Sequence, residues 1–243
     1  MPFAQRQGSS RIVIHHVMSF TLDKVVPWGR SFSEYQRMFA LSEADLQKTI
    51  LACADGPASF NSEATRLGAS VVSCDPLYRF DAEAIRSRVQ EVYPEMVEQT
   101  RRNESEFIWT EFESAEELGK ARLSAMRAFL DDYDTGLAER RYIVGEFPSL
   151  PFSDNSFDLT LCSHYLFLYS EQLTLEFHVN AIRDMCRVSN EARIFPIVAL
   201  GSGVSDFVEP VTGALRECSL NVKIESVPYE FKRGANQMMR VNR

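Results

Sequence analysis

Two neighbouring segments of the chain have the sequences Ile50-Leu-Ala-Cys-Ala-Asp-Gly-Pro-Ala-Ser-Phe-Asn61 and Gly68-Ala-Ser-Val-Val-Ser-Cys-Asp-Pro76. The pattern predicts a buried strand, a tight turn, a helix, and a second buried strand that ends at Asp75. It is typical of a nucleotide pocket in an open α/β sheet, where ligands bind beyond the carboxyl ends of the strands. Gly56 lets the backbone approach a ligand closely, and Asp75 follows at a sequence distance that suits a carboxylate binding ribose hydroxyls.

Hydrophobic periodicity places further elements along the chain. The predicted strands cover 50–54, 69–74, 141–145, 156–163 and 193–200, and a terminal hairpin covers 222–231 and 237–241. The segment 79–139 is longer than a crossover between strands requires and has the apolar spacing of at least two helices. Ser31 and Glu34 have capping-box spacing, which predicts a helix beginning there, and a second helix is predicted near Ser42.

A third segment has the sequence Leu150-Pro-Phe-Ser-Asp-Asn-Ser-Phe-Asp-Leu-Thr-Leu-Cys-Ser-His164. Together with the first two segments it resembles the class I S-adenosylmethionine-dependent methyltransferases, of the small-molecule type with a Leu-Pro-Phe-x-Asp-x-Ser-Phe-Asp motif. The resemblance extends over about 49–200 and is interrupted by the long segment 79–139. It implies a three-layer, Rossmann-like α/β fold whose seven-stranded sheet is mostly parallel, with an antiparallel last strand and a helical insertion after the second strand.

Composition fits one domain spanning residues 1–243. The chain is 45% hydrophobic and 25% charged, which is ordinary for a globular protein. Its net charge of −8 argues against a nonspecific nucleic-acid binder, which needs an excess of Lys and Arg. The five cysteines show no paired spacing, so we expect neither a disulfide framework nor a metal site, and a cytoplasmic location. Residues 1–17 are expected to form a flexible tail, because their apolar run is too short for a signal peptide or membrane span.

The turn after the first strand departs from the pattern of the resembling family. Where that family has an acid and three spaced glycines, this chain has Ala52, Ala54, Gly56 and Ala58. Alanine leaves room for a ligand, provided that the backbone there avoids positive φ. The lost acid normally holds the amino end of the cofactor's methionine moiety, and Asp55 is expected to take over that role. The alternative is that Asp55 only caps the turn.

The resemblance implies S-adenosylmethionine as the cofactor and assigns residues to each part of it. Asp75 would bind the ribose hydroxyls, and Glu146 with Phe147 would recognise the adenine amino group. Arg30 and Tyr35 would close the pocket from the N-terminal side, with Arg30 paired to the cofactor's carboxylate. The alternative for Arg30 is an ordinary solvated side chain. The other predicted cofactor-binding residues are Ala54, Asp55, Gly56, Pro57, Pro76 and Ser163.

His164 directly follows the fourth predicted strand, at the end where the reacting methyl group should lie. It is the candidate catalytic residue, a general base, because imidazole titrates near neutrality. The alternative is a structural histidine bonded to a loop carbonyl. A Cys162–His164 nucleophile is disfavoured, because Cys162 should lie inside the strand, away from solvent.

The insertion 79–139 has an aromatic cluster between its two predicted helices, formed by Phe107, Trp109 and Phe112. One interpretation is a lid whose aromatic side chains cover the acceptor side of the cleft. The alternative is a helical hairpin packed on the sheet edge with a charged outer face.

The resemblance implies methyl transfer from S-adenosylmethionine to a small-molecule acceptor, with no nucleic-acid or membrane partner. Neither the acceptor, nor the atom methylated, nor the oligomeric state is encoded in a recognisable pattern. One alternative is a cofactor-binding regulatory protein without catalysis, since alanines replace the family's acid and glycines. The other is a dinucleotide-dependent oxidoreductase, which is disfavoured because the turn lacks spaced glycines and the segment 150–158 has no role there.

Overall fold

The computed structural model describes residues 26–201 and 203–243, so the expected tail 1–17 lies outside the described residues. The strands are β1 (Thr49–Cys53), β2 (Ser70–Cys74), β3 (Tyr142–Ile143), β4 (Phe157–Ser163), β5 (Ser189–Phe195), β6 (Asn221–Ser226) and β7 (Gln237–Asn242). They form one sheet in the order β3-β2-β1-β4-β5-β7-β6. The first five strands pair in parallel, and β7 runs antiparallel to both of its neighbours. The predicted mostly parallel, seven-stranded sheet with an antiparallel last strand is confirmed.

Among the described residues, the α-helices are α1 (Phe32–Met38), α2 (Phe60–Arg66), α3 (Ala82–Arg102), α4 (Ala115–Ala138), α5 (Leu175–Val188) and α6 (Val208–Glu217). The capping box at the start of α1 is formed as predicted: Ser31 accepts from the Glu34 N–H, and Glu34 accepts from the Ser31 N–H. The helix predicted near Ser42 is wrong. Only a short 3-10 turn, Asp45–Gln47, forms there, because the chain enters β1 two residues later.

Alternating side chains of the central strand β1 build the two sides of the core. Leu51 and Cys53 pack with α5 and α6 on one face of the sheet, and Ile50 and Ala52 pack with α1 and α2 on the other. This alternation is the period of a strand buried on both faces. It gives the three layers, helix, sheet and helix, that the resemblance implies.

Helices α3 and α4 are the predicted helical insertion after β2. Their apolar faces meet each other, with Ile85 and Val89 in the same buried cluster as Phe129 and Tyr133. That cluster reaches the sheet edge through Tyr142 of β3. The insertion is therefore packed against the sheet.

The loop between α3 and α4 lies against the loop between β6 and β7. We call the two segments, 103–114 and 227–236, the clasp. The Ile108 N–H donates to the Phe231 carbonyl at 2.7 Å. The Phe231 ring packs against three aromatic rings of the first segment, those of Phe107, Trp109 and Phe112. The clasp thus ties the insertion to the far end of the sheet.

Three predicted strands have different boundaries. The first strand of the terminal hairpin is Asn221–Ser226, not 222–231. The third predicted strand is only Tyr142–Ile143, because β3 is an edge strand whose single partner is β2. The fifth is Ser189–Phe195, not 193–200. It stops before Pro196, which has no N–H to donate to the ladder.

The segment 150–158, which carried much of the resemblance, is fixed by hydrogen bonds from α5 and β1. The Leu150 N–H donates to Asp184 at 2.6 Å, and Arg187 donates to the Leu150 carbonyl at 3.0 Å. Asp158 accepts from the Thr49 N–H and hydroxyl at 3.0 and 2.7 Å. Asp158 therefore holds the entry of β4 in place, at the end of the sheet opposite the strand carboxyl ends.

Candidate functional site

A cavity of about 690 Å³ opens at the carboxyl ends of the parallel strands. Its volume is in the usual range for ligand pockets, and its place is where open α/β sheets bind ligands. All twelve sequence-predicted site residues line it: Arg30, Tyr35, Ala54, Asp55, Gly56, Pro57, Asp75, Pro76, Glu146, Phe147, Ser163 and His164. The fold brings together the segments after β1, β2, β3 and β4, helix α1 and the segment before it.

Asp55, directly after β1, is 7% exposed and is held by side chains of two other elements. Tyr35 of α1 donates its hydroxyl hydrogen to one carboxylate oxygen, and Ser73 of β2 donates to the other at 2.7 Å. Burial raises the pKa of Asp55 to about 7, against the lowering effect of these two bonds. Both bonds reach across the fold, so among the described residues Asp55 does not act as a cap of its own turn.

Asp75 directly follows β2 and holds the turn after β1. It accepts from the Gly56 N–H at 2.9 Å and from the Leu77 N–H at 2.7 Å. Burial raises the pKa of Asp75 above its usual value. A carboxylate has about four lone-pair positions, so Asp75 can accept further hydrogen bonds from a ligand. Tyr78 donates to the Gly56 carbonyl at 2.8 Å, which fixes the turn from its other side.

The turn after β1 takes the left-handed backbone conformation at two positions. Gly56 has φ 55°, which costs glycine little, but Ala54 has φ 51°. The proviso that alanine avoids positive φ here is therefore not met, and Ala54 carries backbone strain of about 1–2 kcal/mol. The backbone nevertheless follows the path that glycine at this position would allow.

The residues expected at the adenine end lie along one side of the cavity. Glu146 follows β3 with an exposed side chain. Phe147 is buried, and its ring stacks on Tyr165 at a centroid distance of 6.1 Å. Glu146 is thus free to meet a polar ligand group, while Phe147 supplies an apolar wall.

His164 follows β4 and also has positive φ, 52°. Its N–H donates to the Phe195 carbonyl at 2.6 Å, and its Nδ1 lies 2.9 Å from the Ser163 hydroxyl. Burial and the nearby Arg30 and Arg122 guanidinium groups hold the pKa of His164 well below its usual value. The expectation that this imidazole titrates near neutrality is therefore wrong.

The predicted burial of Cys162 is confirmed, and it disfavours a cysteine nucleophile beside His164. Cys162 is buried inside β4, and burial raises the pKa of its thiol to about 12. The five cysteines are all free. Within the described ranges, no cluster of His, Cys, Asp and Glu suits a metal ion, and no helix is long and apolar enough to cross a membrane.

Arg30 lines the cavity from the segment before α1. It donates to the Trp28 carbonyl at 2.9 Å, and its buried Nε has no hydrogen-bond partner among the described residues. Burial and the neighbouring Arg122 guanidinium lower the pKa of Arg30 to about 10. An unpartnered buried donor of this kind suits an anionic ligand group.

Sequence reasoning missed a buried ion pair beside the cavity. Arg122 of α4 donates to Glu34 of α1, and Tyr229 of the clasp donates to the other Glu34 oxygen at 2.9 Å. Arg122 lines the cavity and is 1% exposed. A signal was present, since Arg122 interrupts the apolar stripe between Leu118 and Ala125.

The insertion contributes directly to the cavity wall. Phe107 lines it together with Phe231 of the other clasp segment. Trp109 and Phe112 do not line it, and instead pack against Phe231. One of the three predicted aromatic residues, Phe107, therefore lines the cavity, as His164 does.

No protein-family model matches the chain. The chain is 34% identical over 223 residues to a protein of Methanocaldococcus jannaschii named Uncharacterized protein MJ0045, and the match covers 91% of this chain and 98% of that protein. This chain belongs to the MJ0045 family. The uncovered part of the chain is shorter than the insertion, so the match extends into the insertion.

Solved structures of methyltransferases show a distant likeness to this member of the MJ0045 family. The mitomycin 7-O-methyltransferase MmcR gives a TM-score of 0.47 at 12% identity, over 87% of this chain and 53% of that chain. The O-methyltransferase NcsB1 from neocarzinostatin biosynthesis, in complex with S-adenosyl-L-homocysteine and 1,4-dihydroxy-2-naphthoic acid, gives 0.44 at 13% identity, over 86% and 53%. The chain spans about half the length of each. The strand order and the helix layers described above define the fold.

Proposed function

We propose that this protein transfers a methyl group from S-adenosylmethionine to a small-molecule acceptor. The observation that carries the proposal is the convergence of Asp55, Asp75, Glu146 and His164 on one cavity at the strand carboxyl ends. Each follows a different parallel strand, which is how open α/β sheets assemble a nucleotide site.

The residues present suit the cofactor. Asp75 would bind the ribose hydroxyls with its remaining lone pairs, and Glu146 with Phe147 would contact the adenine. Asp55 would face the ammonium group, because an adjacent cation compensates a buried carboxylate. Arg30 would bind the cofactor's carboxylate, and its unpartnered Nε supports this assignment.

When bound, S-adenosylmethionine supplies a methyl group already activated by its sulfonium. The task left to the protein is to hold the acceptor in line and exclude water. We place His164 at the acceptor, where its neutral imidazole would accept a hydrogen bond or a proton from the reacting group. The clasp would cover the acceptor side, with Phe107 in contact with the ligand.

The backbone of the turn after β1 argues against the alternative of a protein that has lost its ligand site. Ala54 keeps the positive φ that a glycine would adopt, so the alanine replacements leave the path of the turn intact. Retention of this strained path, at a cost in stability, supports continued ligand binding.

Calorimetry with S-adenosylhomocysteine tests the proposal. The wild-type protein is expected to bind it and not NAD. Asp75→Asn should weaken binding about tenfold to a hundredfold, because a charged acceptor of two hydroxyl groups is lost. Asp206→Asn is the matched control, since Asp206 is exposed and does not line the cavity.

Unchanged affinity in a folded Asp75→Asn protein would show that the cofactor assignment is wrong. Preferential binding of NAD would instead support the oxidoreductase alternative.

A further inference from the structure

The cavity is lined by a second guanidinium, that of Arg122, which the cofactor assignment does not use. Arg122 extends from α4 across the cavity wall to Glu34 of α1. Arg30 makes no hydrogen bond to a carboxylate among the described residues. One of these two guanidinium groups therefore has a carboxylate partner and the other has none.

The proposed cofactor leaves Arg122 without a ligand group. The cofactor's carboxylate would pair with Arg30 and its ammonium with Asp55. A buried guanidinium with an unused donor favours an anionic ligand group beside it.

Arg122 is oriented to receive such an anion. Its Nη1 donates to Glu34, and its Nε is buried without a hydrogen-bond partner among the described residues. Glu34 does not line the cavity, so Arg122 stands between Glu34 and the ligand space. Glu34 is itself fixed by Ser31 and Tyr229, which holds the guanidinium in one position.

Aromatic side chains form part of the cavity that Arg122 lines. Phe107, Phe195, Phe231 and Tyr229 all line the cavity. This surface suits an apolar or aromatic ligand body, with Arg122 supplying the polar contact that fixes its orientation.

We propose that Arg122 determines acceptor specificity by binding an anionic group, a carboxylate, on an aromatic or apolar acceptor. This inference rests on the proposed methyl transfer, because that reaction defines the acceptor. The anion-binding site itself can be tested by binding alone. Arg122 recognises the acceptor through this group, and His164 contacts the reacting atom.

The test uses the full chain saturated with S-adenosylhomocysteine, and its probes are a panel of aromatic and aliphatic carboxylates paired with their neutral amides. Calorimetry should show at least one carboxylate binding about tenfold or more tighter than its amide. In the double variant Glu34→Gln/Arg122→Gln, this preference should disappear while S-adenosylhomocysteine affinity stays unchanged. Removing both charges together avoids leaving Glu34 buried and unpaired.

The single variant Glu34→Gln should change carboxylate affinity in the opposite direction to the double variant. It keeps the capping box, because Gln suits that position. With Arg122 freed of its partner, carboxylates should bind several-fold tighter than to wild type and should raise the melting temperature more.

Equal binding of carboxylates and amides, no carboxylate binding to the loaded wild-type protein, or a preference that survives the double variant would each overturn the inference. These failures are distinct from failure of the proposed function, in which S-adenosylhomocysteine itself does not bind.

Discussion

The Tyr35 hydroxyl donates a hydrogen bond to the Asp55 carboxylate and so joins α1 to the turn after β1. Burial makes ionisation of Asp55 costly, and its pKa rises to about 7 even with this bond and that of Ser73 in place. The protein therefore holds, at the point proposed for the cofactor's ammonium, an acid that is readily protonated until a cation arrives.

This relationship predicts a pH dependence of stability. The folded state binds a proton at Asp55 that the unfolded chain has already released above about pH 4. Stability should therefore fall as pH rises from about 4 to 7, by up to about 4 kcal/mol from this group. Urea unfolding at a series of pH values measures the effect.

Asp55→Asn provides the comparison, because the amide can keep both hydrogen bonds and does not titrate. The free energy of unfolding of wild type minus that of Asp55→Asn should decrease over this pH window. A constant difference between pH 4 and 7 would contradict the raised pKa.

The strained turn predicts a stabilising substitution. Ala54→Gly should raise the free energy of unfolding by about 1 kcal/mol, because glycine adopts φ 51° without the penalty that Cβ imposes. Ala52→Gly is the matched control in the neighbouring strand, where lost packing and added chain entropy should destabilise by about 1 kcal/mol. Equal losses in both variants would refute the assigned strain.

The parallel half of the sheet was predictable because each buried strand is a continuous apolar run with turn residues at its ends. Leu159 to Cys162 is such a run, and it lies in β4 as expected. The length of β3, Tyr142–Ile143, was less predictable, because an edge strand extends only as far as its single neighbour pairs with it. Asp75 and His164 lie at one cavity because each follows a parallel strand. Their convergence was predictable from the strand pattern of the sequence.

The ion pair of Arg122 and Glu34 could not be derived in the same way. Glu34 already had a local explanation in the capping box, and nothing in its spacing indicated a partner in α4. The pair depends on how the insertion packs across α1, which is a tertiary relationship between segments 88 residues apart. The pKa of His164 depends on the same packing, because Arg122 is one of its neighbours.

His164 should remain neutral across the physiological range. Burial and the two guanidinium groups disfavour its protonated form, so its imidazole NMR signals should not titrate between pH 6 and 8. The spectrum of His164→Ala identifies the signal. A titration midpoint near 6.5 would contradict this assignment.

A further prediction for His164 concerns the turnover rate. With a carboxylate acceptor found by the binding panel, His164→Ala should lower turnover by roughly 10²–10⁴-fold if it acts as acid or base. S-adenosylhomocysteine affinity should change little. The wild-type rate should show no limb near pH 6.5, since the imidazole is already neutral there. A small loss would assign His164 a structural role.

The last prediction concerns the clasp. Phe231 stacks on Phe107 at a centroid distance of 4.8 Å and packs edge-on against Trp109 and Phe112. Phe231→Ala removes this common partner, so the segment 103–114 should lose its attachment to the loop 227–236. Amide hydrogen exchange in 103–114 should then rise by about tenfold or more, since about 1.4 kcal/mol of local stability corresponds to tenfold.

Phe152→Ala separates local opening from general destabilisation, because Phe152 packs against Phe157, away from the clasp. It should lower global stability without a selective rise in exchange at 103–114. If the clasp covers the acceptor side, Phe231→Ala should also weaken carboxylate binding while leaving S-adenosylhomocysteine affinity intact. Because Asp75 and Glu146 lie after β2 and β3 and not on the clasp, a parallel loss of both affinities would show that the clasp supports the whole cavity instead of covering one side.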